Sequence, residues 1–187
     1  MRTAIIRIFV AFTAVVLMAG CKEKKETKVI ITTRPVEVVK KDTIKMENVN
    51  NDIAVQWGGA DYKVSIRRKA DKSLAITEDE GENKYYDNRI ELNIKRNDGT
   101  VFFSRQFVKD DFKEYVSEEF TEKKALVGFV FEKVDGSNLK FAASIGSPDK
   151  FSDDFIPFEV LVSRSGTMSV KLSEQNLVET STEEDTI

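Results

Sequence analysis

Ile90-Glu91-Leu92-Asn93-Ile94-Lys95-Arg96-Asn97-Asp98-Gly99-Thr100-Val101-Phe102-Phe103 decides the fold class. Apolar and polar residues alternate from Ile90 to Lys95, the period of a strand with one buried face. Asn97-Asp98-Gly99 follows, and Asp and Gly tolerate the positive φ that a tight hairpin turn needs. Residues 101–108 then return as the partner strand. A hairpin at the middle of the chain predicts a β-rich protein built from antiparallel reversals.

The same pattern extends towards the C-terminus. Residues 125–131 are almost continuously apolar, which predicts a central strand buried on both faces. Asp135-Gly136 turns the chain, and Leu139, Phe141, Ala143 and Ile145 alternate back. Residues 146–154 form a polar loop. Phe158, Val160 and Val162 make another strand, Ser165-Gly166 reverses it, and Met168, Val170 and Leu172 close the last hairpin. Between the first and second hairpins, Asp111 and Glu114 stand three apart, as at a capped helix start. Phe112, Tyr115, Val116 and Phe120 follow near helical spacing, so one helix of two to three turns is expected to pack on the sheet, its aromatics in the core.

Towards the N-terminus, Tyr62, Val64 and Ile66 alternate with Lys63, Ser65 and Arg67, a lead strand. Residues 79–88 are polar and read as a loop. Residues 49–59 read as irregular, because Asn48, Asn50, Asn51 and Asp52 favour turns. The expected fold is mostly β: an antiparallel meander closing as a small barrel or a sandwich, with one short helix on it.

The first residues follow a different rule. Arg2 and Arg7 precede an uncharged run over 8–18, then Ala19-Gly20 and Cys21, the only cysteine. This is the layout of a secretory signal. The run is about half of the roughly 20 apolar residues that a helix needs to span a bilayer. Leu17-Met18-Ala19-Gly20-Cys21 resembles the lipobox of bacterial lipoproteins, with Met18 where Leu is usual. The resemblance implies that the Cys21 thiol receives a diacylglycerol, that the chain is cut between Gly20 and Cys21, and that the new amino group is acylated, with palmitate-type chains. Two or three acyl chains anchor stably, at about 0.8 kcal/mol per buried CH₂. The expected divisions are a signal over 1–20, a lipidated N-terminus and spacer over 21–42, a β-rich domain over 43–174 and an acidic disordered tail over 175–187. Residues 22–28 are charged and read as a solvated stand-off. The β-branched runs at 29–33 and 36–39, split by Arg34-Pro35, read as an interrupted edge strand or an extended tether.

The stretch 90–103, then Arg105-Gln106-Phe107-Val108-Lys109-Asp110-Asp111-Phe112, Ser147-Pro148-Asp149 and Asp153-Asp154-Phe155-Ile156-Pro157, together resemble a family of Bacteroidota lipoproteins carrying a single domain of unknown function, DUF4738. The resemblance spans roughly residues 42–174. It implies a lipoprotein with a single domain and carries no catalytic residues to transfer; the expected place is the cell envelope, on the periplasmic or the surface face of the outer membrane.

Composition narrows the chemistry. The chain has 187 residues, a net charge of −3 and no histidine. Loss of Arg2 and Arg7 with the signal gives −3 − 2 = −5. No strong basic block exists, so nucleic acid is not an expected partner. Without histidine or a free cysteine, Ser-His-Asp and Cys-His schemes are excluded, along with the common zinc sites. No disulfide can form within a chain whose one cysteine is the anchor. A carboxylate pair stays open, and Glu78, Asp79, Glu80 and Glu82 beside Tyr85 and Tyr86 are its candidates. Asp149, Asp153 and Asp154, with Ser147 and Ser152, offer oxygens to a hard cation, but not at EF-hand spacing. Trp57, Tyr85 and Tyr86 fall in expected loops, where aromatics can form a sugar or peptide platform. The sequence therefore favours a non-enzymatic binding or assembly domain, held to the envelope by lipid. Its expected partner is a protein, a glycan or an apolar ligand, with no cofactor and no catalytic or metal site. The alternatives are a carboxylate-dependent hydrolase of envelope polymers and a structural spacer.

Overall fold

The computed structural model describes residues 41–174. The expected signal over 1–20, the Gly20/Cys21 cleavage and lipidation site, the runs at 29–33 and 36–39 and the tail over 175–187 lie outside the described residues. In chain order the elements are β1 (Ile44–Lys45), β2 (Val49–Trp57), β3 (Ala60–Ala70), β4 (Ile76–Glu78), β5 (Lys84–Tyr86), β6 (Asn88–Arg96) and β7 (Val101–Phe107). A 3-10 helix (Lys109–Tyr115) and α1 (Glu118–Lys123) follow, then β8 (Ala125–Asp135), β9 (Asn138–Gly146), β10 (Phe155–Ser163) and β11 (Met168–Leu172).

Alternation produces two four-stranded antiparallel sheets, ordered β2-β3-β6-β7 and β11-β10-β9-β8. Val64, Ile66, Ile90, Leu92 and Ile94 of the first share one apolar core with Leu139, Phe141, Ile145, Phe158, Val160 and Val162 of the second. Phe107 of β7 stacks on Phe129 of β8 with ring centres 4.9 Å apart, and Phe112 of the 3-10 helix meets Phe158 at 5.0 Å. The packing is sandwich-like, and no closed barrel forms among the described residues. A third sheet, β1-β5-β4, adds a parallel β1–β5 pair to an otherwise antiparallel molecule.

Four expectations are corrected. Residues 49–57 are not irregular: β2 pairs with β3 over nine positions, and the Gly58-Gly59 turn, at φ 61 and 81, joins them. Of the polar residues that suggested turns, Asn50 and Asp52 occupy the solvent face of an edge strand, where Asp52 binds Ser65, Arg67 and Lys63, and Asn51 is exposed on the other face. Cross-strand pairing overrides local propensity here. The polar stretch 79–88 is a loop only over 79–83, since β5 and the start of β6 occupy the rest.

The single helix is two short ones. Asp111 reaches back to accept a bond from the Val108 N–H at 2.8 Å, and Ser117 caps the second helix by accepting from the Phe120 N–H. Val116 and Ser117 interrupt the run in extended backbone, so the three-residue spacing of Phe112 and Tyr115 belongs to a 3-10 turn. Finally, β8 is an edge strand and not a central one. Register shifts at Leu126/Gly128 and Phe131/Lys133 break its alternation, which is why it reads as a continuous apolar run.

A buried polar junction joins the two sheets. Asp87 Oδ1 accepts from the N–H groups of Asn88 (2.7 Å) and Leu126 (2.9 Å), and Asn88 Nδ2 donates to the Leu126 carbonyl at 2.9 Å. Two side chains thus satisfy both backbone groups of Leu126, as a neighbouring strand would. Lys109 Nζ donates to the Lys124 carbonyl at 2.7 Å and lies 3.5 Å from Asp87 Oδ2. Burial pushes the Asp87 carboxyl up, and the bonds from Leu126, Asn88 and Lys109 restore only part of the shift.

Removing one partner of a buried ion pair costs about 3–5 kcal/mol, because the other charge is left uncompensated. Lys109→Met is therefore expected to lower the urea midpoint sharply. Adding Asp87→Asn to it should recover much of the loss, because the buried carboxylate is then gone.

Asp71 gives a separate pH signature. Its carboxylate accepts from the Ser73 side chain and N–H and pairs with Arg89 at 2.7 Å, which holds its pKa at about 2. A depressed carboxylate contributes stability above its unfolded pKa, near 4, and loses it as pH falls through about 2. In urea titrations between those values, Asp71→Asn should show a flatter loss of stability than the parent chain.

Candidate functional site

Alternation along β3 has a consequence at its end. Val64 and Ile66 point into the core and are fully buried, so Arg68 leaves the backbone on the same side. There it reaches a cleft of about 550 Å³ bounded by residues 44–47, Tyr85 of β5, Val127 of β8 and the loop 147–152. Arg68 Nη1 donates to the Val127 carbonyl and Nη2 to the Glu47 carbonyl at 3.0 Å. The guanidinium therefore joins the β1–β2 connection to the edge of the second sheet. Its Nε–H is buried without an acceptor among the described residues. Burial pushes the Arg68 pKa down, and the Glu47 carboxylate opposes part of that shift.

The loop 147–154 is built by its own polar side chains. Ser147 Oγ accepts from the Asp149 N–H, Asp149 Oδ1 from the Phe151 N–H at 3.0 Å, and Ser152 Oγ from the Asp154 N–H. Asp154 also pairs with Lys124, and its carbonyl accepts from the Ser147 N–H at 2.9 Å. These turns hold Phe151 out at the cleft mouth with 86% of its surface exposed, and Lys150 Nζ lies 5.0 Å from its ring. Asp149 and Asp154 thus cap turns or pair with a cation. Among the described residues, no group of three or more acids is placed to hold a metal ion.

Trp57, Tyr85 and Tyr86 do not form one platform. Trp57 is 2% exposed and packs on Tyr62 and Phe102, with ring centres 5.3 and 5.5 Å away and the Arg164 guanidinium 6.0 Å above. Trp57 ends β2, while Val49 at the other end pairs with Arg68. Eight steps along the strand separate them, about 27 Å. Tyr85 and Tyr86 are neighbours on a strand and face opposite ways. Tyr85 lines the cleft, and Tyr86 lies under Lys72. Of the three, only Tyr85 belongs to the cleft.

The acidic stretch 78–82 builds a turn. Asp79 accepts from Asn83 N–H (2.9 Å), Asn83 Nδ2 (2.8 Å) and the Tyr85 hydroxyl (3.0 Å). Burial pushes its carboxyl up, but these bonds outweigh burial and hold the pKa below the usual range. The Tyr85 phenol is raised by burial and by its bond to Asp79. An acid held in this way is a poor proton donor near neutral pH. Glu78 faces Lys84 at 3.7 Å.

Sequence reasoning missed Arg68 and Phe151, though both carried a signal. Arg68 is a charge at an inward position of an alternating strand, and Phe151 is the one large apolar residue between Ser147 and Asp154.

The model of the family described as Domain of unknown function (DUF4738) matches residues 27–170, and the chain belongs to that family. The match begins upstream of residue 42, inside the stretch read from sequence as spacer. No curated protein matches the chain.

Proposed function

We propose that the chain is a lipid-anchored protein of the bacterial cell envelope whose β-rich domain binds a partner and performs no catalysis. The observation that carries the binding half is Phe151, held 86% exposed at the mouth of a concave, mixed polar and apolar cleft. A large aromatic kept in water by a hydrogen-bonded loop costs solvation free energy, and such exposure beside a concavity marks contact surfaces. Arg and aromatic side chains are also the residues that concentrate binding energy. The hydrolase alternative needs an acid and a base facing each other across a groove. Asp79, in the best acidic cluster of the sequence, is instead committed to the turn it builds.

The anchoring half rests on the sequence alone: Leu17 to Cys21 has the lipobox layout, and Cys21 is the one cysteine. The outer membrane is the proposed location.

Two experiments test the two halves separately. Replacing Cys21 with Ala should abolish incorporation of labelled palmitate and release the chain from the membrane fraction. Unchanged labelling and partition would refute the anchor. Replacing Phe151 with a photoreactive benzoylphenylalanine and irradiating intact cells should give a reproducible adduct. The control is the same substitution at Val101, which is 55% exposed and away from the cleft lining. Equal yields at the two positions would sink the binding reading.

A further inference from the structure

We infer that the cleft takes a ligand with an anionic head and an apolar body, and that Arg68 is the counter-ion of the head. The inference rests on the cleft being the binding surface, and it adds the chemistry of what binds there.

The first argument is charge. Arg67 and Arg89, half-buried like Arg68, each have a carboxylate partner, Asp52 at 2.7 Å and Asp71 at 2.7 Å. Arg68 is as sheltered as these and has none among the described residues. Its bonds go to the carbonyls of Val127 and Glu47, which satisfy N–H donors and leave the charge without an ion-pair partner. Nε–H is buried without an acceptor among the described residues, and Nη1 and Nη2 each carry a second N–H beyond these bonds. A partly desolvated guanidinium without an ion-pair partner is stabilised by an entering carboxylate or phosphate, through the stronger, charge-assisted kind of hydrogen bond from its remaining Nη–H groups.

The second argument is shape and lining. Lys45 and Lys150 add positive charge at the cleft, while Met46, Val127 and Phe151 give it an apolar wall. Of the two acids there, Asp149 is engaged by the Phe151 N–H, and Glu47 opposes part of the burial effect on Arg68 without forming an ion pair with it. The volume, about 550 Å³, falls within the range of small-ligand sites, roughly 300–1,000 Å³. A fatty carboxylate and an alkyl phosphate share the required chemistry.

The test uses the full chain in phosphatidylcholine nanodiscs and four photoreactive probes: a diazirine-tailed decanoic acid, its phosphate analogue, its neutral alcohol, and a short diazirine acid without the tail. Adducts are mapped by mass spectrometry. The ten-carbon acid or the phosphate should label peptides carrying Met46, Val127 or Phe151 at least tenfold more than the alcohol or the short acid, and the stronger of the two identifies the head. Arg68→Gln should reduce labelling to the level of the alcohol, with Arg68→Lys recovering part.

Because Arg68 also joins two segments, Lys150→Glu at an exposed loop position is the second variant. It should lower the acid-to-alcohol ratio about threefold with an unchanged melting temperature. Equal labelling of the cleft by acid and alcohol would overturn the anionic head, as would a ratio that neither variant changes. Adducts confined to other surfaces would overturn the cleft itself as the binding surface, and the inference with it.

Discussion

Everything that positions the cleft depends on how the first sheet is joined to the second at Leu126. A sheet edge ending inside a protein leaves backbone donors and acceptors that must find partners. Here the partners are side chains: the Asp87 carboxylate and the Asn88 amide take the N–H and carbonyl of Leu126. Lys109 closes the arrangement by binding the Lys124 carbonyl and facing Asp87. Three elements distant in sequence, the β5–β6 turn, the 3-10 helix and β8, are registered by this one cluster. The apolar core supplies most of the driving force, but apolar contact is non-directional. The polar junction sets where β8 begins, and with it where Val127 stands relative to Arg68.

What the sequence disclosed follows from what each residue pattern can encode. Strands with one wet face were legible, since period-two alternation is a local property: Ile90, Leu92 and Ile94 are all fully buried, as are Leu139, Phe141 and Ile145. Edge strands were not. β2 looked like a loop because its solvent face is rich in Asn and Asp, and β8 looked central because two register shifts erase its alternation. Both depend on pairing partners far along the chain. The cleft was barely legible for a related reason. Tyr85 was singled out as an aromatic, but its neighbours there come from four separate segments. Arg68 is informative only once β3 is known to run past Ile66 to Ala70, so that Arg68 continues the inner face of Val64 and Ile66.

The domain holds together without covalent help. With Cys21 as the only cysteine, no disulfide constrains the unfolded chain. Stability falls to the core and to surface networks such as Lys140, Glu159 and Lys171 on the outer face of the second sheet, where Lys140 and Glu159 lie 2.7 Å apart. In that network, bonds to Glu159 raise the Lys140 pKa, and bonds from Lys140 and Lys171 lower that of Glu159. With no histidine in the chain, no side chain titrates near neutral pH by its ordinary chemistry. The surface charge pattern should therefore change little over the physiological range.

The parallel pairing of β1 with β5 covers only two ladder positions, Ile44 with Tyr85 and Lys45 with Tyr86. β2, which follows, is held over nine. In mechanical terms, a load applied from the N-terminal side arrives first at the shortest ladder among the described residues. That ladder is also one wall of the cleft, so tension would be felt there before either large sheet bears it. A protein held by its N-terminal end would in this way have its recognition surface in series with its attachment.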